Sequence, residues 1–254
     1  MCARHCLPPL RGSIVINAMF SRLELLIGHE ALQRLQQAHV LLLGVGGVGS
    51  WAAEILVRSA IGHLTIIDCD TVRQSNINRQ IEALHSTIGQ PKTDAVASRL
   101  RDINPNLELN ALNIRLTPDN VPALLDSCQW DYVIDAIDER PPKLAALVHC
   151  VNHHLPVISS MGAANKTISD GIRVADISET SGCHLARILR KSLRKLGIES
   201  GINVVFSDVL PEKNMDEAPE KPGERRPLGT IACVPSAFGI KCAEKVITDI
   251  ISKP

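Results

Sequence analysis

Five clusters of polar residues stand where apolar runs give way to glycine, amide or charge, and their types suit the handling of a triphosphate. Gly44-Val45-Gly46-Gly47-Val48-Gly49-Ser50 closes the run Val40-Leu41-Leu42-Leu43 and opens a helix-forming stretch from Trp51, so free N–H groups and a helix dipole face an anion. Glycine there permits positive φ and a close approach of backbone to ligand; a plain tight βα turn is the other reading. About twenty residues on, Asp68 and Asp70 are placed to accept hydrogen bonds from ribose hydroxyls, as in dinucleotide and adenylate binders alike. Asn76 and Arg79, in Ser75-Asn76-Ile77-Asn78-Arg79-Gln80, add an amide and a guanidinium. Lys92 follows Gly89-Gln90-Pro91 at a predicted helix start, where the dipole disfavours a cation and a ligand anion would explain one. A hydride-transferring dehydrogenase has no use for such cations, whereas triphosphate chemistry needs them. Taken alone, Lys92 also reads as a solvated lysine. Asp135 and Asp138 close a further apolar run. Asp138, past the strand end, suits oxygen ligation of Mg²⁺, Asp135 suits a supporting or capping role, and simple N-capping is the alternative for both.

The elements that must carry these residues alternate. Two short helices over 22–28 and 30–35 lead into a strand at 40–43; strands follow at 63–68, 107–112, 131–135 and 156–160, with helices after Gly49 and over 91–103, 118–127 and 142–153. The pattern predicts a doubly wound, mostly parallel α/β sheet of Rossmann type, whose ligands gather at the carboxyl ends of the strands. After Gly162 the texture changes to strands at 171–177 and 202–206, a basic helix over 184–196 and a terminal helix ending near 251. The expected organisation is a flexible extension at 1–18, a nucleotide-binding domain at 19–165, and a smaller C-terminal lobe at 166–254 with a mobile, proline-rich loop at 211–227. The extension, with Arg4 and Arg11 and no acid, also resembles a weak transit segment.

The 254 residues are 45% hydrophobic, enough for a sizeable core, and 27 basic side chains balance 27 acidic ones. No global field attracts nucleic acid, so any such site is a local patch. Arg187, Arg190, Lys191, Arg194 and Lys195 recur at three- and four-residue spacing and supply one, with Arg225 and Arg226 able to extend it; a solvated helix face is the alternative. Eight scattered cysteines without a C-x-x-C pair favour free thiols in a reducing, cytoplasmic setting over disulfides or structural zinc. No apolar run is long enough to cross a bilayer.

Order and spacing of these five motifs, over residues 20–165, resemble the ubiquitin-activating-enzyme-like (ThiF/MoeB) adenylation family. The resemblance implies a ThiF fold that uses ATP and Mg²⁺ to turn a carboxylate into an acyl adenylate. It also implies roles: Gly44, Gly46, Gly47 and Gly49 against the phosphates, Asp68 and Asp70 at the ribose side, Asn76 and Arg79 on the triphosphate, Lys92 stabilising its charge, and Asp138 at the metal and reaction centre. Arg22, in Met19-Phe20-Ser21-Arg22, is similar to the family arginine that reaches across a homodimer interface.

Within the family, residues 22–28, 160–165 and 204–207 resemble the branch that acts on threonylcarbamoyladenosine 37 of tRNA, closing the modification into a ring with loss of AMP. Gly182-Cys183-His184-Leu185-Ala186-Arg187 departs from that branch's usual entry to the second-lobe helix. Three classes of function stand at this stage: an ATP-dependent tRNA dehydratase; an activator of a ubiquitin-like or sulfur-carrier protein, with Cys183 or Cys233 as its thiol; and a dinucleotide oxidoreductase, against which Arg79 and Lys92 argue. A monovalent cation and a sulfur-transfer partner are compatible with the first.

Overall fold

A computed structural model describes residues 18–212 and 228–253; the expectations for 1–17 and for 213–227, Arg225 and Arg226 included, lie outside the described residues. The elements run α1 (Ser21–Ile27), α2 (His29–Gln37), β1 (His39–Leu43), α3 (Gly49–Arg58), β2 (His63–Asp68), α4 (Lys92–Ile103), β3 (Glu108–Asn113), α5 (Val121–Leu125), β4 (Tyr132–Asp135), α6 (Arg140–Asn152), β5 (Val157–Ser160), β6 (Ile172–Asp176), α7 (His184–Arg194), β7 (Asn203–Ser207) and α8 (Cys233–Ile251).

One seven-stranded sheet takes the order β3-β2-β1-β4-β5-β7-β6, parallel except where β6 pairs antiparallel with β7. The near-continuous apolar strands follow from burial on both faces. Val40 and Leu42 of β1 join the core built with α3, α4 and α8, while Leu41 and Leu43 join the core built with α5, α6 and α7. Strand order reverses between β1 and β4, and the crevice at their carboxyl ends is where such sheets bind ligands.

Residues 166–254, which the sequence texture sets apart, continue this sheet. They add β7 beside β5 and β6 at the edge, α7 on one face and α8 on the other. Helix α8 lies close against α3 at Gly239, where a Cβ would sit 2.8 Å from Trp51 Cβ. The helix predicted over 118–127 is only Val121–Leu125. Thr117 N donates to Asn120 Oδ1 at 2.8 Å and Asn120 N to Thr117 Oγ1, holding 117–120 as a turn that starts the helix late. No helix among the described residues is long and apolar enough to cross a membrane.

Candidate active site

Two glycines of the loop after β1 have a steric reason to be glycine. Gly44 leaves β1 at φ +89°, and a Cβ there would lie 2.9 Å from the Ala136 carbonyl oxygen; a Cβ on Gly49 would overlap the Gly44 carbonyl. The turns after β1 and β4 therefore touch, and α3 begins directly beneath them, with Ser50 N donating to Gly46 O at 3.0 Å. Gly46 and Gly47 are not crowded. Their missing side chains leave the loop open between Gln80, Arg79 and Pro235 of α8.

Asp68 ties this loop to the end of β2. Its Oδ2 accepts from Val45 N and its Oδ1 from Asp70 N, both at 2.9 Å. A carboxylate has about four acceptor positions, so these bonds fix its orientation and leave capacity for a ligand's hydroxyls. Asp70 itself holds the Lys92 ammonium at 2.8 Å from Oδ2; Lys92 is only 6% exposed, at the first position of α4. Asn76 is buried, and its amide oxygen accepts from Arg73 N to close the turn at 74–76. Three residues on, Arg79 lays its side chain beside Gly47 while Nη1 donates to Ser75 O and Asn78 Oδ1. Asn78 Nδ2 donates in turn to Thr230 O, joining this segment to the chain that enters α8.

Asp135 and Asp138 separate sharply. Asp138 is exposed just beyond the turn that meets Gly44. Asp135 does not cap a helix: it is wholly buried and pairs with Lys143 of α6 at 2.9 Å, and it accepts from Ser159 Oγ and Ile137 N. The glycine loop, Asp68, Asp70, Asn76, Arg79, Lys92 and Asp138 thus gather past the carboxyl ends of β1, β2 and β4.

Arg22 does not join them. It is exposed on α1, whose neighbour Phe20 packs with Leu32 and Ala60 past the far end of α3 from the glycine loop. Of the basic residues on and beside α7, Arg187, Lys191, Arg194 and Lys195 are exposed, whereas Arg190 turns inward and donates to Thr180 O and Oγ1. The exposed stripe accordingly consists of four cations, not five. Cys183 is buried before α7, and Cys233 is exposed at the start of α8.

Two buried charged residues escape a reading by motif. Lys143 is fully buried, in register with Ala146, Leu147 and Cys150 on the core face of α6, and a cation within that i, i+3, i+4, i+7 stripe was the available signal. Glu82 is 2% exposed, and neither carboxylate oxygen has a hydrogen-bond partner among the described residues. Burial pushes its carboxyl up to about 7, against the opposing influence of its own main-chain N–H, the Ser50 hydroxyl and Lys92. Nothing in its sequence context marks it as buried.

A model of the ThiF family matches residues 20–254. The tRNA threonylcarbamoyladenosine dehydratase of Bacillus subtilis is 42% identical over 241 residues, 91% of this chain and 94% of its own length. The crystal structure of the E. coli tRNA N6-threonylcarbamoyladenosine dehydratase in complex with ATP superposes with a TM-score of 0.82 at 34% identity, covering 92% of this chain and 94% of that one. The molybdopterin-synthase adenylyltransferase of Salmonella typhimurium, 34% identical, covers 71% of this chain and 68% of its own.

Proposed function

The chain belongs to the ThiF family, and we propose that it is an ATP-dependent dehydratase of threonylcarbamoyladenosine 37 in tRNA. The observation that carries the reading is the full-length likeness to dehydratases, 91% of this chain and 94% of the Bacillus subtilis protein, against 71% of this chain and 68% of the molybdopterin-synthase adenylyltransferase. The threonyl carboxylate attacks the α-phosphorus of ATP and expels pyrophosphate. The side chain's own ureido group then closes on the activated carbonyl with loss of AMP and a proton, so the nucleoside ends one water lighter.

This chain's residues divide the work. The open backbone at Gly46 and Gly47 and the first turn of α3 receive phosphate. Asp68, held rigid by Val45 and Asp70, orients the ribose. Arg79 and Lys92 stabilise charge on the phosphoryl oxygens, with Asn76 supporting the turn that presents Arg79. Asp138, a single exposed carboxylate, fits Mg²⁺, which keeps most of its ligands as waters and phosphate oxygens. When bound, the ion would neutralise phosphate charge. The protein works as a homodimer in which Arg22 serves the neighbouring subunit's triphosphate, in a cytoplasmic setting suited to its free thiols. A sulfur-transfer partner is compatible, with Cys233 the exposed thiol on the helix that borders Gly47.

The test is incubation with ATP, Mg²⁺ and tRNA bearing threonylcarbamoyladenosine, followed by mild digestion and nucleoside mass spectrometry. A product one water lighter supports the reading; an unchanged nucleoside, with pyrophosphate exchange driven by a carrier protein's C-terminal carboxylate, overturns it. Arg79→Ala and Lys92→Ala should each slow single-turnover adenylation by about a hundredfold. Unaltered rates in both would move the phosphate site elsewhere. Reversing Lys191 and Arg194 to glutamate should weaken tRNA binding and flatten its salt dependence while ATP affinity holds, because backbone contacts release counterions. Retained tRNA affinity in a filter-binding titration would remove α7 from the interface.

A further inference from the structure

Glu82 sits where a carboxylate is hard to keep. It follows the segment that carries Asn76, Arg79 and Gln80, and its own main-chain oxygen accepts from Thr87 Oγ1 at 2.6 Å. Its neighbour Ile81 rests its N–H on Ser50 Oγ in the first turn of α3. The side chain is 2% exposed, and neither oxygen completes a hydrogen bond of good geometry although its own main-chain N–H and the Ser50 hydroxyl lie near, whereas a structural core acid is fully bonded, as Asp135 is. The groups that act on it from the surrounding elements are the Ser50 hydroxyl of α3, the Asp68 carboxylate ending β2 and the Lys92 ammonium of α4. Lys92 is buried too, and its contact at 2.8 Å is Asp70, whose side chain is half exposed. A buried ammonium thus has one acid toward water and another within the protein.

We propose that Glu82 is a positioning residue for Lys92: it supplies the buried counter-charge that keeps the ammonium at the floor of the phosphate site, and it takes up one proton from solvent when a triphosphate claims that ammonium. This inference rests on the ATP reading above. An arriving triphosphate draws Lys92 toward its oxygens and adds negative charge nearby. Glu82 then loses its attraction and gains a repulsion while remaining buried, and both changes favour its neutral form. Because burial already holds the carboxyl at about 7, that form is within reach at neutral pH. No other bond is made or broken.

The experiment is calorimetric titration of the full chain with Mg²⁺ and ATP at pH 6 and pH 8, in buffers of different ionisation heat, for the natural protein and Glu82→Gln. At pH 6 Glu82 is already protonated and the two proteins should bind alike. At pH 8 the natural protein should take up a proton that the variant does not, and the variant should bind ATP up to about tenfold more tightly, one proton linking affinity to pH by at most tenfold per unit. The nucleotide's own phosphate titrates identically with both, so the difference isolates Glu82. A variant that binds more weakly by the same factor at both pH values, or that takes up as many protons, overturns the inference. Infrared difference spectra of the natural protein give a second measurement independent of the variant's folding: ATP should raise the carbonyl band of a protonated carboxylic acid, and its absence is equally fatal. A natural protein that binds no ATP at either pH overturns the ATP reading itself, and this inference with it.

Discussion

Lys143→Met should lower the unfolding free energy by about 3–5 kcal/mol in a urea titration, the usual result of leaving a buried charge without its partner. For a chain of this size that is a fall of roughly 10 °C in melting temperature. The pair is enclosed completely, with no exposed surface on either side chain and 2.9 Å between Nζ and Asp135 Oδ2. Asp135 would keep the Ser159 hydroxyl and the Ile137 N–H, which orient a carboxylate without cancelling its charge. Replacing both residues, Lys143→Met with Asp135→Asn, removes the charge from both sides and should recover most of the loss. Activity should not recover with it. Lys143 Nζ also donates to Ile137 O at 3.1 Å, one residue before Asp138, so methionine leaves the turn that presents Asp138 without its anchor. A double variant as unstable as the single one would show that shape, not charge, sets the cost.

Strand positions were legible because a parallel sheet buried on both faces demands uninterrupted apolar runs, and such runs end abruptly at turns. The stretch His63 to Asp68 coincides with β2, and Val40 to Leu43 misses β1 by one residue. The continuity of β7 with β5 was not legible. Nothing local in Asn203–Ser207 states which strand it will pair with, and the crossover from β5 passes through β6, which pairs antiparallel to it. Glycines, Asp68, Arg79 and Lys92 stood out because their chemistry is unusual beside an apolar run. Lys143 and Glu82 did not, for opposite reasons. A lysine on an apolar helix face ordinarily snorkels to water, and only the convergence of α6 on β4 prevents it. Glu82 lies outside any regular element, so its burial depends wholly on how its turn closes over Ser50 and Lys92.

Arg22→Ala and Asp138→Ala should each be nearly inactive alone, at least a hundredfold down in dehydration, and should regain activity when mixed. Within one chain Arg22 cannot serve the glycine loop. Its helix packs beyond Ala60 at the far end of α3, and the ten residues of α3 put about 15 Å between that end and the loop. An exposed arginine on a helix that also leaves Leu25 88% and Leu26 82% exposed is better suited to a neighbouring copy. If two copies pair about a twofold axis, each site draws Arg22 from one chain and Asp138 from the other. A hybrid of the two variants then contains one site with both residues intact and one with neither. Random re-pairing makes half the dimers hybrid, so the mixture should recover about a quarter of natural turnover. Full exchange of subunits, verified by a mass tag, with no recovered activity would place Arg22 outside the catalytic machinery. A monomer with full turnover would do the same, because the distance along α3 leaves an isolated chain no way to bring Arg22 to its own phosphates.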